Sequence, residues 1–211
     1  MQTRPILAFD CATSPASAAL RVGTRIETIR IPHGAQAAEL VPALDQLLRA
    51  ENLHYSELAS IVTTIGPGSF TGLRIALATL HGLVLAHLTP IRLLNSCEAI
   101  ALEIAARDHA PKHFTIALDA GKSECFAQDF SSDTGIVHAV SDISIHPTDA
   151  IHQFTLPTFS NLYAPEHANY ISGPNAAVLT RFAEQIPLRA LSEAVPYYIR
   201  PADAKLPNSV V

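Results

Sequence analysis

Ile6-Leu7-Ala8-Phe9-Asp10 is a continuous apolar run closed by a carboxylate. A strand buried on both faces reads this way, because neither set of alternating side chains meets water. Outward from it, Ser17 to Val22 alternates, with Ala18, Leu20 and Val22 on one side, and Gly23-Thr24 offers a two-residue hairpin turn into Arg25 to Ile31. The period then becomes helical. Between Gln36 and Ala50, residues Ala37, Leu40, Val41, Leu44, Leu47 and Leu48 form one stripe, and Pro42 sits early enough to do limited damage. Ala59 to Ile65 is a second apolar strand. It leads through Gly66-Pro67-Gly68-Ser69-Phe70-Thr71-Gly72 into a helix that is apolar almost all round to about His87. Ile91 to Leu94 reads as a short strand. Asn95 to Asp108 reads as an amphipathic helix with Asn95 or Ser96 as its cap.

The opening pattern occurs again half a chain later. Thr115-Ile116-Ala117-Leu118 ends in Asp119, and Ser123 to Phe130 with Ile136 to Val140 makes a second hairpin around Ser131 to Gly135. A duplicated mixed-sheet unit with Asp ending its first strand is the plan of the actin-like and sugar-kinase ATPases, built from ribonuclease H-like lobes. The expected fold class is therefore α/β and two-lobed, with a duplicated mixed sheet, residues 1–108 forming the first lobe and 109–211 a reduced second one. The second copy decays: eight of the 15 prolines lie from Pro147 onward, only Ala176 to Gln185 reads as a helix, and residues 141–170 have no legible pattern. The chain is also short for an ATPase of this plan, which inserts adenosine-binding elements into large lobes.

Composition narrows the function classes. The 211 residues carry 14 Lys and Arg against 19 Asp and Glu, a net charge of −5, with 48% hydrophobic residues. That supports a packed core and argues against gripping nucleic acid through surface charge alone. Cys11, Cys97 and Cys125 form no C-x-x-C pair, which excludes a disulfide framework or zinc ribbon and fits a reducing compartment. The apolar run after Met1-Gln-Thr-Arg-Pro5 is too short for a signal-peptide core, and Leu73 to Leu88 is shorter than a membrane span and carries Arg74, His81 and His87. A cytoplasmic protein without a membrane partner is expected.

The loop Gly66–Gly72 admits two readings: an anion-binding loop at a helix N-terminus, or a strand-to-helix turn capped by Ser69 or Thr71. It is not a Walker A loop, because Leu73-Arg74 stands where Lys-Ser/Thr would be, and it lacks the G-x-G-x-x-G spacing. Beyond these readings, Ile65-Gly-Pro-Gly-Ser-Phe-Thr-Gly-Leu-Arg-Ile75 resembles the signature of the TsaB (YeaZ) family, labelled glycoprotease-like or peptidase M22-like. Leu7-Ala-Phe-Asp-Cys-Ala-Thr13, Asn95-Ser-Cys-Glu-Ala-Ile-Ala101 and Pro196-Tyr-Tyr-Ile-Arg200 are similar to other segments of that family. The resemblance departs at Asp119 to Phe126, where Gly121 replaces the family's Arg.

The resemblance implies a non-catalytic partner of the related transferase TsaD, acting with the ATPase TsaE in threonylcarbamoylating tRNA adenosine. It implies contact with tRNA only through that complex, and self-pairing as a homodimer when alone. TsaD holds its metal with H-x-x-x-H, at whose positions this chain has Ser96 and Ile100; neither side chain replaces an imidazole ligand, so no metal and no cofactor are expected. The family joins its partner through the helix pair, which makes Leu40, Leu44, Leu47, Ala76, Thr79, Leu80 and Leu83 the interface candidates. Arg74 and Gly66 to Gly72 form the signature loop. Asp10 and Asp119 are either turn-capping residues or a vestigial nucleotide site of weak affinity.

Two rival functions remain open at this stage. One is a small ATPase or phosphotransferase using Asp10, Asp119 and the loop. The other is a peptidase, for which Ser69 lacks the G-x-S-x-G elbow because Thr71 stands at the second glycine. His109 and His113 are spaced as a helical pair, but Pro111 separates them and no Glu accompanies them, so they read as surface residues. His81 and His87 read as packed or interfacial.

Overall fold

The computed structural model describes residues 4–13, 15–133 and 136–199. Thr134 and Gly135 of the expected second hairpin, Met1 to Thr3, and Arg200 of the last family-like segment lie outside them.

The first sheet is built from β1 (Ile6–Asp10), β2 (Ala16–Val22), β3 (Arg25–Ile31), β4 (Ser60–Thr64) and β5 (Ile91–Leu94). Its order is β5-β4-β1-β2-β3, with β1, β4 and β5 mutually parallel and β2 and β3 added as an antiparallel meander. The second sheet comprises β6 (His113–Gly121), β7 (Glu124–Asp133), β8 (Ile136–Ala139), β9 (Ser144–Pro147) and β10 (Thr158–Ser160). Its order β10-β6-β7-β8 repeats the first: an antiparallel meander on one side of the leading strand and a parallel strand on the other. The duplication legible in the sequence is thus a duplication of topology.

Alternation along β1 explains why the strand is apolar throughout. Leu7 and Phe9 join one core with α1 (Gln36–Ala50) and α2 (Phe70–His87), whereas Ile6 and Ala8 join another on the opposite face. That opposite face is covered by α3 (Ser96–Ala105) and α4 (Ala176–Arg181). Helix α3 has no free face: Ala99 and Leu102 pack on the first sheet, while Cys97, Ile100, Ala101 and Ile104 pack on Phe114, Ile116 and Phe130 of the second. Its start is set by a capping box, with Asn95 Oδ1 accepting from Glu98 N–H at 2.8 Å and Glu98 Oε2 accepting from Asn95 N–H at 2.7 Å.

The reduced second lobe has a physical form. The outer face of its sheet is covered by a small cluster, Ala117, Cys125 and Ile151, under a 3-10 turn at Thr148–Gln153. Residues 141–170, unreadable in sequence, supply β9, this turn and β10, each too short for a period to emerge. The expected helix over Ala176 to Gln185 ends at Arg181 and resumes as a 3-10 turn at Ala183–Gln185.

The expected lobe boundary needs correction. After the second sheet the chain returns to the first: α4 packs beside Ile6, Ala8 and Val62, and β11 (Leu188–Arg189) pairs with β5. An ion pair from Arg21 to Glu184 and a hydrogen bond from Arg92 to the Ile186 carbonyl fasten this return. Residues 109–211 are therefore not one structural unit.

Helix α2 has a length and mean hydropathy (1.3) sufficient for a membrane span. Its Ala76, Leu77 and Leu80 are nevertheless built into the first core and Leu73 is buried beside Gly66, while Ala78, Gly82, Leu85 and Ala86 face outward. Leu80→Glu puts a charge where exposure is 0%, and should cost more than about 4 kcal/mol, unfolding the first lobe. Leu85→Glu, at 72% exposure, should change stability by no more than about 0.5 kcal/mol. Urea titration followed by circular dichroism separates the two.

Candidate functional site

The signature loop lies against the chain leaving β1. Ser69 N–H donates to the Ala12 carbonyl at 2.7 Å, and Ser69 Oγ caps α2 by accepting from Gly72 N–H at 3.2 Å. The contact admits no side chain at two positions. A Cβ on Gly68 would stand 2.2 Å from the Ala12 oxygen, and one on Gly72 would stand 1.8 Å from the Cys11 oxygen. Next in sequence, the Gly66 carbonyl accepts from Ser96 N–H and the Ile65 carbonyl from Tyr197 N–H, both at 2.7 Å. The loop thus joins β1, α2, α3 and the C-terminal segment. Two backbone donors that an anion would use, those of Ser69 and Gly72, are already spent inside the protein.

Asp10 lies beneath this junction, fully buried. The Thr64 hydroxyl donates to its Oδ1, while Thr13 donates to Oδ2 through its N–H at 3.3 Å and its hydroxyl at 3.1 Å. Burial pushes the carboxyl above its ordinary value, and those hydrogen bonds pull in the opposite direction. Asp119 behaves differently. It is exposed, its Oδ1 accepts from Gly121 N–H at 2.8 Å, and its own N–H donates to Asn161 Oδ1 at 2.9 Å. Asp119 lines the interlobe cleft, whereas Asp10 is buried behind Thr13, which lines it.

That cleft has a volume of about 860 Å³. Thr13, Ser69, Phe70 and Arg74 form its first-lobe wall, Asp119 to Gly121, Phe126 and Asn161 its second-lobe wall, and Tyr197 to Ile199 its rim. The Arg74 guanidinium sits 3.7 Å above the Phe70 ring, whose centroid lies 5.4 Å from that of Tyr198 with the two planes tilted by 31°. Asn161 and Tyr198 were not singled out by sequence reasoning as site residues. Pro196-Tyr-Tyr-Ile-Arg200 is legible as a segment, but nothing local reports that it runs back to the loop.

The remaining candidates lie apart. Among the described residues no group of three His, Cys, Asp or Glu side chains could hold a metal ion. Ser96 and Ile100 are buried on α3, Ser96 Oγ without a hydrogen-bond partner and Ile100 in the second core. Ser69 Oγ is engaged as a helix cap. Burial pushes the Cys11 thiol up to about 12, with the Asp10 charge adding to it, so no thiolate forms there near neutral pH. His81 binds the Ala194 carbonyl at 2.9 Å, and His87 stacks on Tyr55. His109 occupies a left-handed turn and His113 an exposed strand start.

The interface candidates require a correction of facing. Leu40, Leu44, Leu47, Ala76 and Leu80 belong to this chain's own core, and Thr79 and Leu83 are half-buried at its margin. The most apolar stripe of each helix packs inward, as burial energetics require. The outward face carries Ala37, Ala38 and Val41 of α1, and Ala78, Gly82, Leu85 and Ala86 of α2.

The twice-used strand order, with a cleft between the two sheets, defines a two-lobed protein of the actin-like, ribonuclease H-like class. The family described as TsaD, tRNA N6-adenosine threonylcarbamoyltransferase, matches residues 32–196. The chain belongs to this family, in its TsaB (YeaZ) branch. It is similar to the tRNA threonylcarbamoyladenosine biosynthesis protein TsaB of Haemophilus influenzae, at 26% identity over 127 residues, covering 60% of this chain and 53% of that one. The Escherichia coli protein of the same name is 25% identical over 150 residues, covering 70% and 64%. These matches span roughly half to two thirds of the curated relatives' length. A crystal structure of a Pseudomonas aeruginosa protein described as similar to peptidase YeaZ superposes with a TM-score of 0.77 at 23% identity, covering 94% of this chain and 100% of that one.

Two predictions follow from the junction. Gly72→Ala should destabilise by at least about 2 kcal/mol, whereas Gly82→Ala, where an added Cβ meets nothing within 4 Å, should gain up to about 1 kcal/mol in urea unfolding. For Asp10, the native carboxyl retains its proton above the ordinary value of 3.8, where the unfolded chain has lost it. Its contribution to stability therefore falls as pH rises from 3.8 through the native value, then levels off. Asp10→Asn should remove that fall, so wild type loses stability relative to the variant across this window in unfolding titrations from about pH 3 to pH 8.

Proposed function

We propose that this chain is a non-catalytic subunit in tRNA threonylcarbamoyladenosine biosynthesis, binding and activating a TsaD-type transferase in the cytoplasm. The observation that carries the reading is the outward face of α1 and α2. Small and apolar side chains there leave Val41 45% and Leu85 72% exposed on a chain of the transferase family. Faces of this kind mark association surfaces. Ser96 and Ile100 support the assignment of chemistry to the partner, because they are core residues at the positions where the sister enzyme holds its metal. A TsaE-type ATPase joins the same complex, tRNA is reached through it, and two copies of this chain pair through the same face when the partner is absent. Asp10 and Asp119 then serve as turn and junction residues, with any nucleotide binding in the cleft weak.

The test is threonylcarbamoylation of tRNA by the same organism's TsaD and TsaE with labelled threonine. Activity should require this protein, survive Asp119→Ala, and be lost with Ala78→Glu although that variant keeps the wild-type circular dichroism and Tm. Activity lost in a folded Asp119→Ala protein that still binds TsaD would establish a working nucleotide site and the rival ATPase reading. Full activity without this protein would remove the proposal.

A further inference from the structure

Among the described residues, the aromatic side chains counted as exposed apolar surface are Phe70, Tyr197 and Tyr198, and all three line the interlobe cleft. Aromatic rings are costly to leave in water, and their convergence on one opening is not explained by the junction beneath them. Arg74 stands among them. Its guanidinium covers the Phe70 ring at 3.7 Å, and no carboxylate is paired with it among the described residues. A guanidinium stacked on a ring keeps its N–H edge free to take a carboxylate.

We infer that the cleft mouth formed by Phe70, Arg74 and Tyr198 is a second docking point, which receives an acidic segment of the protein that covers the outer face of α1 and α2. This rests on the function proposed above. Continuity supports a single partner: Arg74, Ala78, Gly82 and Leu85 follow one another at helical spacing along α2, and Arg74 lies about 6 Å along the axis from Ala78. Tyr, Phe and Arg anchors in a pocket are what protein interfaces use as hot spots. A cleft of about 860 Å³ accepts several side chains. Charge favours a protein occupant over RNA. The chain carries a net −5, and the cleft lining includes Asp119 as well as Arg74 instead of a stripe of cations.

The experiment is calorimetric binding of the same organism's purified TsaD-type transferase to full-length variants. Arg74→Glu and Tyr198→Ala should each weaken binding about 10- to 100-fold with Tm unchanged, and Arg74→Lys should weaken it less than Arg74→Glu. If Arg74→Glu lowers Tm, Arg74→Ala replaces it. A benzoylphenylalanine photocross-linker at position 198 should capture a transferase peptide containing Asp or Glu. Binding kept within about twofold by Arg74→Glu and Tyr198→Ala, but abolished by Ala78→Glu, overturns the second docking point and leaves the helix face standing. No binding by the wild type overturns both. Binding of labelled tRNA to this protein alone, lost with Arg74→Glu, identifies RNA as the occupant and also overturns it.

Discussion

The structure depends on one backbone-to-backbone approach, the loop from Gly66 to Gly72 pressed against Cys11 and Ala12. A side chain at Gly68 or Gly72 would occupy the space of the facing carbonyls, so the contact exists only because hydrogen stands at both positions. From it follow the direction of α2, fixed by the Ser69 cap, and the closure over Asp10, whose carboxyl must then find its partners in Thr13 and Thr64. The carbonyls of Ile65 and Gly66 carry the consequence further, one to Tyr197 and the other to Ser96. A loop whose composition suits phosphate binding thus becomes a structural junction, because the groups that would bind an anion are already engaged.

Helix α3 then makes one protein of two sheets. Both of its sides are buried, and the positions where the sister enzyme carries ligating histidines are held by Ser96, under the junction, and Ile100, in the second core. Imidazoles at these positions would need an ion and an opening to justify burying them. Isoleucine needs neither. With Ile100 in the second core and Ala99 on the first sheet, the helix packs tightly between the two sheets.

The fold was legible wherever a period could accumulate. The unbroken apolar run of five-residue β1, the alternation of the β2–β3 hairpin and the helical stripe of fifteen-residue α1 are read with their ends nearly in place, and the second apolar run followed by Asp exposed the duplication. Elements of three or four residues such as β9 and β10 carry no period. The return of α4 and β11 to the first sheet is a long-range event that no local pattern announces. The site was legible in a skewed way. Hydrophobicity picks out the strongest stripe of a helix, and in a chain with its own core that stripe faces inward. Leu44 and Leu80 were therefore conspicuous and wrong for a surface, while Ala78 and Gly82, which lie outward, are inconspicuous. Asp119 was conspicuous because it ends a strand. Arg74, Phe70 and Tyr198 gain meaning only when the chain end is folded back on the loop.

Magnitudes explain why a helix face of this kind calls for anchors elsewhere. Apart from Phe70 at the cleft, Val41, Leu85 and Leu88 are the large apolar side chains exposed on α1, α2 and the α2 cap. Burying all three completely would yield at most roughly 5–9 kcal/mol. Association of two proteins costs roughly 4–15 kcal/mol in lost translational and rotational freedom. Alanine and glycine between the leucines let a partner helix approach closely, but add little buried area of their own. A face so composed gives close geometry and modest affinity. An aromatic and guanidinium cluster one helical turn from Ala78 supplies what that face lacks, a polarised anchor whose pairing depends on partner charge and whose area is large for few side chains. Close fit on α2 with charge-selective anchoring at its start would make association both specific and reversible.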